Sequence, residues 1–434
     1  MDAFDDAQRG VCLLGFEKKG VVSQGDRPEV LTGVSDHPTI VLNAVSAKSG
    51  GAATYIRNLA SSLPIEEPRK HYYLYLPPAQ ARAISPRGGG DYITVVSTDI
   101  GYRPFWQRFL WDQITLRRIV RQIKPDVLIS TSDFGMLFPP CKQVLLVRNP
   151  LFFSRLYLGH ILPKKSYWFR LEFLLRRWLI ARSIAHSDVV MTASKSMLDD
   201  VRRFIAVPDQ RAVVNYFGVP IKKFDMASRW QSGQPLQLLY ISEYSDYKNL
   251  TTVLKALLIL RQKGDDGLRL VSSGDPSQFP EVEISSRETD RALAGHPSVA
   301  SHITFTGTIP YEEVARFYAE SDIFVFPSLA ESFGHPLVEA MAMGLPIIAS
   351  DLSICREICG EAAVYFNPLD PAELAEKIIL LKNQAGLRRR LGQYSRKRAE
   401  TQFNWDDHVR RFVEMIDSMA KTGQGSRGQH GLES

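Results

Sequence analysis

Residues 323 to 350 constrain the fold of this 434-residue chain more than any other stretch. They begin with the continuous apolar run Ile323–Phe326, as expected for a strand covered on both faces. After a polar turn, Pro336 suits the first turn of a helix, where its missing N–H costs no hydrogen bond. Gly344 ends that helix, and Pro346 prevents its restart before a second apolar strand. The pattern predicts a strand–loop–helix–strand unit whose loop leaves backbone N–H groups free to bind an anion.

Two carboxylates frame the predicted loop. Glu331 lies in it, and Glu339 lies about one turn inside the helix, since a turn takes about 3.6 residues. Carboxylates repel a phosphate but accept hydrogen bonds from hydroxyl groups, so an anion here would be flanked by hydroxyl-bearing rings. A nucleotide sugar fits that description. The alternative is that Glu331 is a solvated loop acid and Glu339 a surface helix residue.

The rest of the chain alternates strands and helices, which predicts parallel, doubly wound sheets. The length and the 44% hydrophobic content favour two domains, each able to bury its own core. The predicted strands fall into a first group at residues 39–45, 71–76, 92–96, 126–130, 144–147, 188–192 and 211–216. A second group follows the linker, at residues 236–242, 268–272, 303–305, 323–326, 347–350 and 363–366.

With both acids in place, the block resembles the glutamate-x7-glutamate signature of retaining glycosyltransferases of family 4. The likeness extends from about Thr39 to Trp405 and is strongest from residue 303 to 351. It implies the GT-B fold, an α/β architecture of two doubly wound Rossmann-like domains facing across a cleft. In that family the second acid, here Glu339, binds the donor ribose, and the first, here Glu331, contacts the donor sugar. The amides of the turn meet the sugar and the diphosphate, which maps onto Ser332, Phe333, Gly334 and His335.

The resemblance divides the chain into six parts. Residues 1–37 are expected to be a loose extension and residues 38–217 the acceptor domain. Residues 218–235 are the expected linker, and residues 236–402 the nucleotide-sugar donor domain. A terminal helix over residues 403–420 is expected to cross back onto the first domain, before a disordered tail at 421–434.

In the first domain, the resemblance implies roles for two loops. Gly50 and Gly51 follow the first strand, where the family's loop closes over the donor diphosphate and the acceptor. Arg148 and Asn149 stand near the point where many relatives place a histidine against the donor sugar. A sugar or acceptor contact is the corresponding expectation. The alternative is a strand-end arginine that pairs with a nearby acid.

In the second domain, Ser242 ends the first strand, and Lys248 matches a lysine that neutralises the donor diphosphate in the family. The arginine that usually accompanies it is replaced here by Glu243, which must turn away from a diphosphate or be offset by another cation. The loop around Ile309 corresponds to one that lies against the nucleobase. Lys248 and Glu331 are therefore the expected catalytic residues. The expected donor site comprises Gly50, Gly51, Ser242, Lys248, Ile309, Glu331, Ser332, Phe333, Gly334, His335 and Glu339.

The resemblance implies transfer of a sugar from a nucleotide diphosphate sugar to an acceptor hydroxyl, with retention, in polysaccharide or glycolipid biosynthesis. Because no acidic D-x-D pair ends a strand, we expect neither a metal nor another cofactor. The expected partners are the donor and a glycan or lipid-linked acceptor, without nucleic acid. Two alternatives remain open: a catalytically silent nucleotide-sugar-binding subunit of a polysaccharide assembly, and an epimerase with the same fold. The donor base and sugar, the acceptor and the linkage are left undetermined.

Positive charge is concentrated between residues 102 and 182, with 15 Lys/Arg against four Asp/Glu, whereas the whole chain carries a net +6. Aromatic residues interleave with these cations, a composition typical of interfacial helices. The segment therefore predicts an anionic membrane surface as a partner, unless its aromatics pack into the core. No secretory signal is visible, and four scattered cysteines are too few for a disulfide framework. We expect a cytoplasmic protein, peripheral on the inner face of the membrane if that segment binds lipid.

Overall fold

Two parallel β-sheets organise the computed structural model, which describes residues 21–22, 37–48, 50–66, 70–84, 92–224, 235–278 and 283–427. Among these residues, the first sheet has the order β1-β4-β3-β2-β5-β6-β7-β8 and the second β11-β10-β9-β12-β13-β14. The strands of the first sheet are β1 Val21–Val22, β2 Thr39–Asn43, β3 His71–Leu76, β4 Ile93–Ser97, β5 Val127–Ser130, β6 Lys142–Val147, β7 Val189–Thr192 and β8 Ala212–Val214. Those of the second are β9 Leu236–Tyr240, β10 Leu268–Ser272, β11 Ile303–Phe305, β12 Ile323–Phe326, β13 Ile347–Ser350 and β14 Ala363–Phe366.

Helices cover the sheets, as parallel sheets require. In the first domain they are α1 Gly50–Glu66, α2 Pro78–Ala83, α3 Phe105–Trp111, α4 Arg117–Ile123, α5 Tyr167–Ala185 and α6 Lys195–Arg202. In the second they are α7 Leu250–Gln262, α8 Arg287–Ala294, α9 Pro297–Ala300, α10 Val314–Ala319, α11 His335–Ala342, α12 Ser353–Cys359, α13 Pro371–Asn383 and α14 Ala385–Gln402, followed by α15 Trp405–Arg427. A π-helical turn, Asp112–Leu116, joins α3 to α4. The two parallel α/β sheets confirm the predicted fold class.

In each sheet the order in which successive strands are added reverses at one point, and these two switch points position the cleft. In the first sheet, β2 lies between β3 and β5, so the strand order reverses beside β2. In the second, β9 lies between β10 and β12. Loops that leave the carboxyl ends of strands at such a switch point form the ligand crevice of open α/β sheets. The loops after β2, β9 and β12 are therefore the ones that the topology assigns to binding.

The stretch 323–350 lies at the centre of the second domain. Every residue of β12 and β13 is buried, as the continuous apolar runs predict. Their apolar side chains face helices on both sides of the sheet and divide between two core clusters, with Phe324 and Ile347 in one and Val325 and Ile348 in the other.

The terminal helix α15 packs against the first domain. Trp405 Nε1 donates to Ser62 Oγ at 2.9 Å. The His408 ring contacts Tyr55 Oη at 3.2 Å and the Tyr216 carbonyl oxygen at 3.0 Å. The sequence predicts that this helix ends at residue 420 and that a disordered tail begins at 421, whereas the structure continues the helix to Arg427.

Several expected segments fall partly or wholly outside the described residues. Of the expected extension, residues 1–20 and 23–36 lie outside them, and of the expected linker, residues 225–234 do. Residues 428–434 of the expected tail are also outside them. Across the part of the chain that is described, none of the helices combines the length and apolar character needed to span a membrane.

Candidate active site in the interdomain cleft

A cavity of about 470 Å³ lies between the two domains. Six of the site residues predicted from the sequence line this cavity, and they come from both domains: Gly51, Arg148, Asn149, Glu331, Ser332 and His335. The other expected residues, Gly50, Ser242, Lys248, Ile309, Phe333, Gly334 and Glu339, do not line this cavity. Lys248 pairs with Glu331, which does line it, and Phe333 and Gly334 lie in the loop between the lining residues Ser332 and His335.

The loop between β12 and α11 is shaped by Gly334. Its φ of +81° and ψ of 64° place it in the left-handed region, which glycine adopts without steric cost. A Cβ at this position would lie 3.1 Å from Leu337 Cδ1. Pro336 occupies the first turn of α11, as predicted, and Phe333 is buried under the loop with its ring edge towards His335. The first backbone N–H groups of the helix therefore point out of its start, as an anion site requires.

Glu331 and Lys248 form an ion pair, and only 10% and 14% of their side chains are exposed. Ser328 Oγ also donates to Glu331 Oε1, at 3.2 Å. Burial alone would lower the pKa of Lys248, but the charge of Glu331, with Tyr247 and Glu243 nearby, raises it above its ordinary value. Lys248 is therefore a permanent cation at the end of the 3₁₀ turn Asp246–Lys248.

Glu339 is buried on α11 rather than exposed on the helix surface. Its Oε2 accepts a hydrogen bond from Tyr318 Oη at 3.0 Å, and burial raises the pKa of the carboxyl to about 7. Burial, and next the charge of Glu339, raise the pKa of Tyr311, which follows half-buried Ile309 in the chain. A buried carboxyl with one remaining acceptor oxygen suits a ligand hydroxyl.

His335 is a neutral ring that joins the two domains. It stacks on Phe217, with ring centroids 5.3 Å apart and an interplanar angle of 6°. Burial, followed by the charges of Arg148 and Lys248, lowers its pKa to about 4. A Cβ built on Gly51 would lie 3.6 Å from His335 Cδ2, an ordinary van der Waals contact, so the first domain's loop lies directly beside the ring.

Glu243 lies where the family's arginine is expected, and the structure shows where it turns. A Cβ on Gly50 would lie 3.0 Å from Glu243 Oε1, so the exposed carboxylate reaches the glycine loop of the opposite domain. Gly50 itself has a φ of +59°, a conformation that a side chain would strain. Ser242, the residue before Glu243, is fixed through its backbone, because Ser273 Oγ accepts a hydrogen bond from Ser242 N at 2.8 Å.

Arg148 and Asn149 are held through their backbones at the end of β6. Asp133 Oδ1 accepts from Arg148 N at 2.7 Å and from Asn149 N at 2.9 Å. Asn149 Oδ1 then caps the next turn by accepting from Leu151 N at 3.1 Å. The Asn149 side chain is thus used locally, whereas the Arg148 side chain contributes to the cavity wall.

Sequence reasoning missed the contribution of α3, the π-helical turn and α5 to the cavity. Arg108, Asp112 and Arg176 line it, together with Phe105 and further aromatic residues. Asp112 accepts a hydrogen bond from Asn43 Nδ2 at 2.8 Å, and burial raises its pKa to about 7. Short π-helical insertions occur often at functional sites, but no residue pattern in this helix indicated one. The charges were recognised in the sequence, yet only as a basic segment.

Comparison with known families matches two adjoining parts of the chain. Residues 49–223 match the model for glycosyltransferase family 4, and residues 222–398 match that for glycosyl transferases group 1. A sulfoquinovosyl transferase of Arabidopsis thaliana is 24% identical over 329 residues, which cover 70% of this chain and 59% of the relative. The MMP alpha-(1->4)-mannosyltransferase of Mycolicibacterium hassiacum is 30% identical over 251 residues, covering 55% and 57%. The chain thus spans less than two thirds of the length of these relatives.

Solved structures show the same fold. The sucrose-phosphate synthase of Thermosynechococcus elongatus superimposes with a TM-score of 0.71 at 18% identity, covering 89% of this chain and all of the other. Anabaena HepE in complex with UDP-glucose gives a TM-score of 0.65 at 16% identity, with 88% of this chain and all of the other covered. The two family matches meet at the domain junction, and the two-domain fold agrees with them, so each half of the chain is similar to one half of a glycosyltransferase with the GT-B fold.

Proposed function

We propose that this protein transfers a sugar from a nucleotide diphosphate sugar to an acceptor hydroxyl, with retention of the anomeric configuration. The product belongs to a polysaccharide or a glycolipid. The observation that carries the proposal is the loop before α11: Glu331, Ser332 and His335 line the cleft, Lys248 pairs with Glu331, and buried Glu339 lies about one turn inside the helix. A diphosphate on the amides and Lys248 would leave Glu339 for a ribose hydroxyl and Glu331 for the sugar.

In this proposal the bond between the anomeric carbon and the diphosphate breaks, and the acceptor oxygen bonds to the same face of that carbon. The acceptor proton passes to the departing phosphate oxygen. Lys248 and the loop amides stabilise the negative charge that develops there, which is the largest contribution such a site can make. The walls of both domains orient the acceptor and exclude water. No metal is required, so activity should persist in excess EDTA.

A donor screen tests the proposal directly. UDP-, GDP- and ADP-sugars are added to the purified protein, UDP-glucose first because the similar HepE structure holds it, and thermal stabilisation and nucleoside diphosphate release are measured. We expect one base to stabilise the protein strongly and to be released as the diphosphate. Stabilisation without any release, even with glycan and lipid acceptors, would favour the silent binding subunit. A released or rebound sugar with inverted configuration at a ring carbon would favour an epimerase.

We also propose that the protein binds an anionic membrane surface while it is active, which agrees with a lipid-linked acceptor. Along α5, one face packs on the core through Phe173, Ile180 and Ile184, while the opposite face is apolar and exposed. Trp168 is 75% exposed and Tyr167 64% exposed. Further exposed apolar residues on α5 and α3 are Leu171, Leu174, Leu175, Trp178, Trp106 and Leu110.

Exposed rings beside cations favour lipid over a protein partner at this face. Lys164 and Arg170 are exposed next to the aromatic residues, in the segment with the 15 Lys/Arg. Rings of this kind enter the headgroup layer, and each cation near an anionic surface contributes about 1 kcal/mol. The core does take Phe105, Phe109 and Phe173, so only part of the aromatic set is available for lipid.

Vesicle sedimentation tests the membrane proposal. The protein should pellet with vesicles that contain anionic lipid and should be released as salt is raised. Replacing Trp168 and Trp178 by Ala should weaken binding, whereas Tyr394→Ala, at a ring of the second domain that is 48% exposed, should not. Equal recovery in the supernatant with neutral and anionic vesicles at low salt would contradict it.

A further inference from the structure

The part of the cavity formed by the first domain holds cationic groups that the donor site does not use. Arg108 on α3 and Arg176 on α5 both line it, and both are half-buried. The Nε atom of each is buried and makes no hydrogen bond with the described residues. Arg176 does donate to Glu172 through Nη2, but this is an i,i+4 pair at the surface of the helix. Two guanidinium groups thus line one cavity, and the Nε–H donor of each has no acceptor among the described residues.

The acids of the same cavity are already engaged. Asp133 accepts from two backbone N–H groups, and Glu331 is paired with Lys248. Asp112 accepts from Asn43. Burial, and next the charge of Arg176, lower the pKa of Arg108, and the charge of Asp112 partly offsets this. An anionic ligand between the two guanidinium groups would offset their mutual repulsion.

Aromatic rings lie directly beside these cations. The Arg176 guanidinium stands over the Phe105 ring at 4.5 Å, and the Phe105 and Phe134 ring centroids are 4.7 Å apart. Phe109 completes this aromatic wall. Phe105 and Phe109 point into the cavity from α3, whose outward residues Trp106 and Leu110 belong to the proposed membrane face. The cavity therefore offers an anion site next to an apolar surface, on the side that faces the membrane.

We infer that Arg108 and Arg176 bind a phosphoryl group of the acceptor, with the apolar part of that acceptor against Phe105, Phe109 and Phe134. This deepens the proposed function and rests on it. A guanidinium group presents paired N–H donors that match phosphate oxygens, so two of them can hold one phosphoryl group firmly. The acceptor class is then a phosphate-bearing molecule, not a neutral glycan.

The test measures a second ligand while the donor site is filled. The full chain is saturated with the nucleoside diphosphate found in the donor screen, and octyl phosphate, inorganic phosphate and octyl glucoside are titrated below their micelle concentrations. Octyl phosphate should bind, and Arg108→Gln or Arg176→Gln should weaken it by at least about tenfold, because a charge-assisted hydrogen bond is lost. Arg390→Gln removes the same charge at an exposed position on α14, away from the cavity and from the proposed membrane face, and should leave that affinity unchanged.

The outcomes separate the inference from the function on which it rests. Octyl phosphate that binds more tightly than inorganic phosphate assigns the site to a lipid phosphate, and equal affinities assign it to the phosphoryl group of a soluble acceptor. Octyl glucoside binding as well as octyl phosphate, or arginine variants that bind like the wild type, would overturn the inference and leave donor transfer intact. If no nucleoside diphosphate binds at all, the proposed function itself fails.

Discussion

At the scale of single residues, the cleft depends on charges that are buried in pairs or in neutral form. Lys248 and Glu331 face each other in a site where few water molecules can screen them. Breaking such a pair leaves one buried charge without compensation, which costs about 3–5 kcal/mol. The same residues are proposed to act on the donor, so stability and turnover must be measured separately.

Lys248→Ala should therefore lower both the free energy of unfolding and nucleoside diphosphate release. Adding Glu331→Gln to it should restore much of the stability, because the orphaned carboxylate is removed, but it should not restore release. Chemical denaturation and the release assay measure the two effects. A Lys248→Ala variant that keeps full turnover with a verified donor would remove Lys248 from the diphosphate site.

Glu339 has a consequence for pH dependence. Its folded pKa of about 7 lies above that of an unfolded glutamate, so the folded protein binds the extra proton and loses stability as pH rises from about 4.5 to 7. Glu339→Gln should flatten this loss, which thermal unfolding at pH 5 and pH 8 can show as a difference from the wild type. Donor affinity should change in the opposite direction and increase towards pH 8, when the ionised carboxylate accepts the hydroxyl. An identical pH profile in wild type and Glu339→Gln would contradict the assignment.

At the scale of elements, the shape of the loop between β12 and α11 decides where its amides point. Gly334→Ala adds a Cβ that meets Leu337 at 3.1 Å in a left-handed backbone conformation. We expect a loss of roughly 1–2 kcal/mol in the free energy of unfolding. Donor affinity should fall as well, because the displaced amides no longer share one anion.

Gly386→Ala is the matched control for the loop. No atom lies within 4 Å of a Cβ built at Gly386, on α14. Alanine there should be neutral or stabilising, since it is the better helix former. If both variants showed the same stability and the same donor affinity, the loop would not depend on the conformation of Gly334.

The packing of α15 on the first domain depends on a neutral histidine. Burial lowers the pKa of His408 to about 3, below that of an unfolded histidine near 6.5. Its contribution is fully present above pH 6.5 and is lost as pH falls towards 3. At pH 5 the loss is on the order of 2 kcal/mol, and His408→Phe should show a smaller fall in thermal stability between pH 7 and pH 5. Equal falls in the two proteins would mean that His408 does not control this contact.

At the scale of the whole molecule, the sequence predicted the features that depend on local patterns, but not those that depend on contacts between distant residues. Apolar runs, proline and glycine predicted the strands, α11 and the two-sheet fold, because these signals act over a few residues. The Glu331–Lys248 pair and the Glu243–Gly50 approach join residues far apart in the chain, and no local pattern encodes them. The same holds for the cavity wall, where the basic segment of the first domain divides into groups lining the cleft and groups facing solvent.

The central claim is that a nucleotide sugar binds in the cleft with its ribose at Glu339. Calorimetric titration of the accepted donor into folded Glu339→Ala tests it most directly, with Glu376→Ala, an exposed acid on α13, as the control. The account predicts that Glu339→Ala weakens donor binding by about tenfold or more, through a lost charge-assisted hydrogen bond, while the control binds like the wild type. Unchanged donor affinity in Glu339→Ala would contradict it.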